Sequence, residues 1–203
     1  MGFYARRVVP RLVDLTCGNK AFDRVRARVC AGLRGEVLEV GFGSGRNIVH
    51  YPAEVSRVLA VDPSLEARRL AGARVAASAT PIEFVGLDGE ALALDDAAVD
   101  HVLCTWTLCT IPDAGRALAE MHRVLRPGGQ LHFVEHGLAP RPDVARWQHR
   151  LTPLQRRIAG GCHLDRPIDA LIRSAGFELS DCATYYGARP RAFAHFYEGR
   201  ALR

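Results

Sequence analysis

Lysine and long apolar runs are what this sequence has least of. Lys20 is the only lysine among 27 basic residues, and the rest are scattered arginines. No apolar run approaches the roughly 20 residues that span a bilayer, so we expect no integral membrane segment. The start of the chain also lacks the apolar stretch and small-residue cleavage site of a secretory signal peptide. These absences predict a cytoplasmic protein.

Cysteine pairs with metal-binding spacing are absent as well. None of the six cysteines forms a CxxC pair, which removes the spacing of zinc and thioredoxin-like sites. Without a secretory signal, we expect the thiols to be free. His132 and His136 fall on one predicted strand, which separates them by roughly 13 Å at about 3.3 Å per residue. That distance is too long for one shared ion, and the sequence therefore predicts no metal site.

The basic residues do not form the pattern of a nucleic-acid protein. The net charge is +5, but no basic strip with interleaved aromatic residues is visible. We therefore expect a small-molecule substrate and no nucleic-acid partner, while the oligomeric state stays open. A chain of 203 residues with 48% hydrophobic residues fits one ordinary domain. Residues 1–34 are predicted to be a helical N-terminal segment, followed by a ligand-binding domain over 35–203.

Short apolar runs alternate with helical patterns along the chain, which is typical of βαβ units around a parallel sheet. The sequence predicts an α/β fold with a doubly wound, mostly parallel sheet of seven strands and a helical cover. The predicted strands are Val37–Val40, Val58–Val61, Ile82–Val85, Val99–Cys104, Gln130–His136, Leu179–Tyr185 and Arg191–Tyr197. The predicted helices after residue 34 are Asn47–Tyr51, Leu65–Val75, Ala114–Leu125, Val144–Arg150, Pro153–Ala159 and Pro167–Ala175.

A glycine-rich turn follows the first predicted strand. Gly41, Gly43 and Gly45 give the spacing GxGxG instead of the GxGxxG of dinucleotide-binding proteins. Glycines allow a sharp bend and the close approach of a ligand, and the next helix offers free N–H groups. Glu39 at the strand end would repel a pyrophosphate and suits a cationic amino-acid group better. A tight turn without a ligand is the alternative.

Asp62 closes the second predicted strand, 17 positions after Gly45. An acidic residue at about this distance from a glycine turn accepts hydrogen bonds from ribose hydroxyls. The alternative is that Asp62 caps the following helix, and the two roles are compatible.

With these motifs the sequence resembles the class I S-adenosylmethionine-dependent methyltransferases, whose Rossmann-like fold and cofactor, S-adenosyl-L-methionine, the resemblance implies. The matching stretch covers about residues 36–136. The resemblance places Asp88 near the adenine amino group, Gly89 as a backbone donor, and Thr105 among the cofactor contacts. Arg123–Gly129 is similar to the motif that precedes the fifth strand.

Within that class, several segments resemble the thiol S-methyltransferases of the methyltransferase-like 7 type and their bacterial type 11 relatives. These segments are Cys104–Cys109, Phe133–His136, Trp147-Gln148 and Gly161–Leu164. The resemblance implies methyl transfer to a small thiol. The animal members carry a hydrophobic N-terminal anchor, whereas the first residues of this chain mix a few apolar side chains with arginines.

Candidate substrate contacts follow from where the strands end. His136 is a candidate base, because a neutral imidazole can help a thiol with a pKa near 8.5 ionise, although it could also only hold a loop. His163 is a second candidate. Trp106, Cys162 and Tyr4 are candidate substrate contacts; Trp106 could equally be packing, and Cys162 a buried apolar group. N-methylation, C/O-methylation of a quinone-type ring, and cofactor binding without catalysis are the alternative functions.

Overall fold

Seven strands form one sheet in the order β3-β2-β1-β4-β5-β7-β6. The computed structural model describes residues 7–16 and 18–203, apart from the side chains at positions 13 and 16. Strands β1 to β5 are parallel, and β7 lies antiparallel between β5 and β6. The strands are β1 Gly35–Val40, β2 Val55–Val61, β3 Ile82–Gly86, β4 Val99–Thr105, β5 Leu125–His136, β6 Glu178–Tyr186 and β7 His195–Leu202. The predicted doubly wound, mostly parallel sheet is confirmed.

The strand order reverses between β1 and β4. From β1 the chain proceeds outward through β2 and β3, then returns to place β4 and β5 on the other side. Ligands of open α/β sheets bind in the crevice that such a reversal leaves at the carboxyl ends of the strands. This crevice is therefore the expected position of the site.

Helices cover both faces of the sheet. They are α1 Val9–Thr16, α2 Lys20–Cys30, α3 Leu65–Ala76, α4 Ala114–Val124, α5 Pro142–Ile158 and α6 Ile168–Ser174. Side chains of α4 and α6 pack on one face with alternate strand residues such as Leu38 and Val102. Side chains of α2 pack on the other face with Val37 and Leu103. The two-residue alternation of strand side chains thus divides the core into two layers.

Several predicted boundaries were wrong. β5 begins at Leu125, five residues before the predicted start at Gln130. Pro153 separates two predicted helices, but α5 runs through it without a break. Residues 191–193 form a short 3₁₀ turn, and β7 begins only at His195. The helix predicted after the glycine turn is a 3₁₀ turn over Ile48–His50. Short irregular turns carry little periodicity, so sequence patterns place them poorly.

The N-terminal segment is helical where the structure describes it, in α1 and α2. Asn19 begins α2, since its side chain accepts hydrogen bonds from the N–H groups of Ala21 and Phe22. Val25, Val29 and Cys30 are buried against the sheet. Within residues 7–16 and 18–203, no helix is both long and apolar enough to cross a membrane.

Candidate active site

The glycine turn links β1 to the crevice and needs glycine at two positions for different reasons. Gly41, Gly43 and Gly45 all have positive φ, at 80°, 57° and 74°. A Cβ at Gly41 would lie 1.9 Å from Thr107 Oγ1, so the turn touches the residues that follow β4. A Cβ at Gly43 would meet only the Gly41 carbonyl, at 3.9 Å. Gly43 therefore borders open space, which leaves room for a ligand to lie close to its backbone.

Asp62 ties this turn to the end of β2. Its Oδ2 accepts the Gly43 N–H at 2.7 Å, and its Oδ1 accepts the Ser64 N–H at 2.8 Å. Burial raises its pKa, while these two N–H groups act in the opposite direction. Ser64, and not Asp62, caps α3 through the Ala67 N–H. The capping alternative is thus wrong, and each Asp62 oxygen keeps capacity for a further donor such as a ribose hydroxyl.

A buried polar network lies beneath the turn. Asn47 donates to Glu39 Oε1 at 2.9 Å and to Thr105 Oγ1 at 3.0 Å. Arg26 of α2 donates to Asn47 Oδ1 at 2.8 Å, and the Tyr51 hydroxyl donates to Glu39 Oε2. Sequence reasoning missed Arg26, Asn47 and Tyr51. Only Asn47 carried a signal, as a polar residue two positions after Gly45.

Glu39 is almost fully enclosed by this network. Its side chain is 1% exposed, and burial raises its pKa to about 7. The hydrogen bonds from Tyr51 and Asn47 and the nearby Arg26 charge limit that rise. One Glu39 oxygen accepts a hydrogen bond from Asn47, and the other accepts one from Tyr51. Glu39 therefore orients Asn47 beside Thr105. Direct contact between Glu39 and the cofactor stays a prediction.

Asp88 and Gly89 follow β3 on the far side of β2. Asp88 is exposed, and its Oδ1 accepts the Glu90 N–H at 2.8 Å. A Cβ at Gly89 would lie 2.9 Å from Val40 Cγ1, so this loop packs tightly against the end of β1. The loop therefore lies along the same edge as Asp62 and the glycine turn.

Trp106 has a strained backbone directly after β4. Its φ of 52° is in the left-handed region that non-glycine residues rarely adopt, and its N–H donates to the Val134 carbonyl at 2.7 Å. Its ring packs edge-on against Phe22, with 4.8 Å between centroids, and the Arg26 guanidinium lies 4.8 Å from the ring centroid. Packing of α2 is thus one role of Trp106, and contact with a substrate stays a prediction.

Two thiols and an imidazole meet where β4 and β5 end. One ligand-type atom from each of Cys109, His136 and Cys162 lies within 4.8 Å of the other two, and we call this group the Cys–His–Cys cluster. Cys109 and Cys162 are buried, and His136 is half-buried. Hydrogen bonds from Cys109 and His136 lower the pKa of the Cys162 thiol against the effect of burial.

Glu135 and His163 hold the cluster in place. Glu135 is fully buried and accepts the N–H groups of Thr107 at 2.9 Å and Cys109 at 3.1 Å. The backbone N–H of His163 donates to the Cys109 carbonyl at 2.7 Å, and the ring nitrogen Nδ1 of His163 lies 3.2 Å from the same oxygen. Because a carbonyl only accepts, Nδ1 carries the proton, and Nε2 keeps a free lone pair. Burial lowers the pKa of His163, with the Arg166 charge acting in the same direction.

Helix α1 and the turn after α5 both reach this edge of the sheet. In α1, Asp14 accepts hydrogen bonds from Ser44 Oγ at 2.5 Å and Arg46 Nε at 2.8 Å, directly beside the glycine turn. After α5, Gly161 is so close to Thr110 that a Cβ would lie 3.0 Å from its carbonyl oxygen. Tyr4 lies outside the described residues.

The arrangement fits a cationic nucleoside better than a dinucleotide. Asp62 and the open space at Gly43 suit a ribose, and the GxGxG spacing differs from the GxGxxG that accommodates a pyrophosphate in dinucleotide-binding proteins. The Trp106 Nε1–H is buried without an acceptor among the described residues, which leaves a donor available at the same edge. Fold and site together fit the class I S-adenosylmethionine-dependent methyltransferases.

The comparisons with known proteins agree with this class. Residues 38–133 match the family model described as Methyltransferase domain, which implies S-adenosyl-L-methionine as the cofactor. A methyltransferase structure from Thermotoga maritima, titled a possible histamine N-methyltransferase, matches with a TM-score of 0.67 at 20% identity, over 98% of this chain and 97% of that one. At this identity, the likeness shows the fold alone.

Two curated relatives point to different acceptors. The chain is 34% identical to human thiol S-methyltransferase TMT1B over 160 residues, 77% of this chain and 65% of the relative. It is 29% identical to the phosphatidylethanolamine N-methyltransferase of Cereibacter sphaeroides over 175 residues, 83% of both chains. The chain thus spans slightly less than two thirds of the length of the human thiol S-methyltransferase.

Proposed function

We propose that this protein transfers a methyl group from S-adenosylmethionine to the sulfur of a small thiol. The observation that carries the proposal is the 34% identity to human thiol S-methyltransferase TMT1B. The ends of β4 and β5 are rich in sulfur and imidazole groups. This supports the proposal, because polarizable sulfur groups suit a thiol-containing ligand. The acceptor is then a small molecule and not a nucleic acid, and we place the activity in the cytoplasm.

Cofactor binding rests on the edge formed by β1, β2, β3 and β4. Asp62 would accept the ribose hydroxyls, with Gly41, Gly43 and Gly45 allowing close approach of the backbone. Asp88 and Gly89 would meet the adenine, and Thr105, oriented by Asn47, would lie toward the methionine end. When bound, S-adenosylmethionine supplies a methyl group already activated by its sulfonium, so the protein mainly has to align the acceptor and exclude water.

The acceptor would enter beside β4 and β5, where Trp106, His136, Cys162 and His163 lie. An entering thiol loses hydration, which raises its pKa and calls for a base. His163 is the better placed of the two candidate bases, because its proton is held on Nδ1 by the Cys109 carbonyl and its lowered pKa keeps Nε2 unprotonated. His136 is the second candidate.

N-methylation is the second candidate function. It is favoured by the phosphatidylethanolamine N-methyltransferase relative, which is matched over 83% of its length. An amine acceptor must also lose a proton, so the same imidazoles would serve it. The two functions therefore differ in product and not in the residues required.

A product assay with labelled cofactor separates these functions. We expect methylation of hydrogen sulfide, a small alkyl thiol or a low-molecular-weight cellular thiol, with a rate that rises with pH toward the pKa of the thiol. Amines and quinols serve as parallel acceptors. Turnover of an amine or quinol, and of none of the thiols, would reject thiol methylation and leave the methyltransferase domain in place.

Substitution of His163 tests the base. His163→Asn should move the pH–rate profile upward, because ionisation of the thiol then depends on bulk hydroxide, with a loss of about 10²–10⁴-fold at neutral pH. His136→Asn is measured beside it, and His149→Asn, an exposed histidine on α5 that pairs with Asp165, is the matched control. An unchanged profile in both the His163 and His136 variants would exclude either imidazole as the base.

A further inference from the structure

We infer that the Cys–His–Cys cluster of Cys109, His136 and Cys162 binds one Zn²⁺ ion and leaves a fourth position for the acceptor thiol. The thiol-binding part of this inference rests on the proposed function, whereas the metal-binding part does not. Sequence spacing predicts no metal, because the three ligands come from a turn after β4, the end of β5 and the turn after α5.

The ligand atoms already approximate one face of a tetrahedron. Cys109 Sγ and His136 Nδ1 are 3.9 Å apart, and all three atoms lie within 4.8 Å of one another. Zinc bonds of about 2.3 Å to sulfur and about 2.0 Å to nitrogen place tetrahedral ligands roughly 3.5–3.8 Å apart. Side-chain shifts below about 1 Å would therefore close the site around an ion.

The type of the ligands selects the metal. Two thiols with one imidazole are soft ligands that favour Zn²⁺ and exclude Mg²⁺ and Ca²⁺, which require oxygen. Sites with three protein ligands are typical of catalytic zinc, since structural sites close all four positions. The cluster holds three, so a fourth position is left for a small ligand.

The surroundings hold the three ligands in place before any ion arrives. The backbone of Cys109 is fixed from two sides, because its N–H donates to Glu135 and its carbonyl accepts from the backbone N–H of His163. Gly161 permits the close approach that brings Cys162 over the β4 turn. The His136 ring packs against Phe196, with 4.8 Å between centroids. Such outer contacts orient metal ligands and commonly contribute 10–100-fold to affinity.

The position of the cluster connects it to methyl transfer. Gly41 touches Thr107, which lies two residues before Cys109, so the cluster is adjacent to the glycine turn. In the proposed step the acceptor RSH binds Zn²⁺ as RS⁻, and its proton passes to His163 or water. A lone pair of that sulfur forms the new S–CH₃ bond while the sulfonium C–S bond breaks and leaves its electron pair on S-adenosylhomocysteine. The neutral thioether is a weak ligand and dissociates.

Metal content tests the site directly. Tag-free chain purified with a phosphine reductant should contain or take up one zinc per chain, and Co²⁺ in its place should give sulfur-to-cobalt charge-transfer absorption. Cys109→Ser and Cys162→Ser should lower zinc affinity at least about tenfold. Cys182→Ala, an exposed thiol on β6 outside the cluster, should keep the stoichiometry. Retained S-adenosylhomocysteine binding shows that each variant is folded.

The outcomes separate this inference from the proposed function. Zinc binding that requires Cys109 and Cys162, without turnover of any thiol, supports the site and rejects thiol methylation. Thiol turnover by metal-free chain, unaffected by a chelator, overturns the binding of the acceptor thiol to zinc and keeps thiol methylation. Absence of zinc and cobalt binding by the reduced chain, in which Cys109 and Cys162 are free thiols, overturns the zinc site itself.

Discussion

At the scale of single residues, the site depends on carboxylates whose surroundings differ. Asp62 accepts two backbone N–H groups and retains capacity for a ligand. Glu39, on the neighbouring strand β1, is 1% exposed and accepts hydrogen bonds from Asn47 and Tyr51. Glu36 lies on the same strand as Glu39 but bonds Arg57 and Arg126 at the other end of the sheet. A carboxyl group thus has a different role at each place: Asp62 is available to a ligand, Glu39 orients Asn47, and Glu36 forms ion pairs with arginines.

Asp62→Ala should weaken cofactor binding by about 1–3 kcal/mol, because the Gly43 N–H loses its acceptor and the ribose hydroxyls lose theirs. Isothermal calorimetry with S-adenosylhomocysteine measures the effect on folded protein. Asp95→Ala, an exposed carboxylate in the loop before β4, is the control. Equal affinity in the Asp62 variant and the parent chain would remove Asp62 from the cofactor site.

Glu39→Gln should change the pH dependence of stability. The folded-state pKa of about 7 exceeds the ordinary 4.5, so the folded protein holds this proton more tightly. The resulting stabilisation is complete below about pH 4.5 and is lost as the pH rises through about 7. Between pH 4.5 and 8, the Gln variant should gain stability relative to the parent chain by on the order of 3 kcal/mol at most.

Urea unfolding across this pH range measures the difference, and Glu36→Gln is the control on the same strand. Arg126 lowers the pKa of Glu36, so its stabilising contribution is present at neutral pH and is lost as the pH falls. Because the Glu36 contribution is complete above its ordinary pKa of 4.5, the Glu36→Gln difference should stay nearly constant over this range, whereas the Glu39→Gln difference changes with pH. A Glu39→Gln difference that does not vary with pH would show that Glu39 has an ordinary pKa in the folded state.

At the scale of elements, α5 is unusual because it continues through a proline. Pro153 has no N–H and cannot bond the carbonyl of His149 one turn earlier. The neighbouring Thr152 hydroxyl donates to the Gln148 carbonyl at 2.9 Å, and Gln148 bonds Gly137 and Ala139. These tertiary contacts hold the helix to the end of β5 and outweigh the local cost of the proline.

Pro153→Ala should raise the free energy of unfolding by about 1–3 kcal/mol, because the helix regains a hydrogen bond and loses a steric clash. Thermal and urea unfolding measure the change. Pro142→Ala in the same helix is the matched control, since proline in the first turn interrupts no hydrogen bond. An equal effect of both substitutions would show that the interior position carries no special cost.

At the scale of the whole molecule, ligand binding should stabilise the fold selectively. S-adenosylhomocysteine should raise stability by about 2.7 kcal/mol at a hundredfold excess over its Kd, as for any ligand that binds only the folded state. NAD should give a smaller shift, since the GxGxG spacing and Glu39 at the end of β1 disfavour a pyrophosphate. Thermal shift measures both, with Asp62→Ala as the weakened site. A larger shift with NAD would contradict the cofactor assignment.

The sequence alone was enough to predict the sheet and to place the GxGxG turn and Asp62 at the ends of β1 and β2. Buried parallel strands appear as short apolar runs, and the GxGxG turn and Asp62 follow directly from strand ends, so their signals are local. The termini of α5 and β7 were not predictable to the same degree. Pro153 normally ends a helix, and only the contacts of Gln148 with residues near β5 override that preference.

Contacts between distant segments were decided by the tertiary structure. Arg26 lies on α2 without any local signal, yet its guanidinium meets Asn47 beneath the glycine turn. Cys109, His136 and Cys162 have no metal-site spacing, and packing of the turn after α5 on the β4 turn brings their side chains together. Local patterns fix strand ends because hydrogen bonding and periodicity act over a few residues, whereas a site shared by three segments exists only once the whole core has packed.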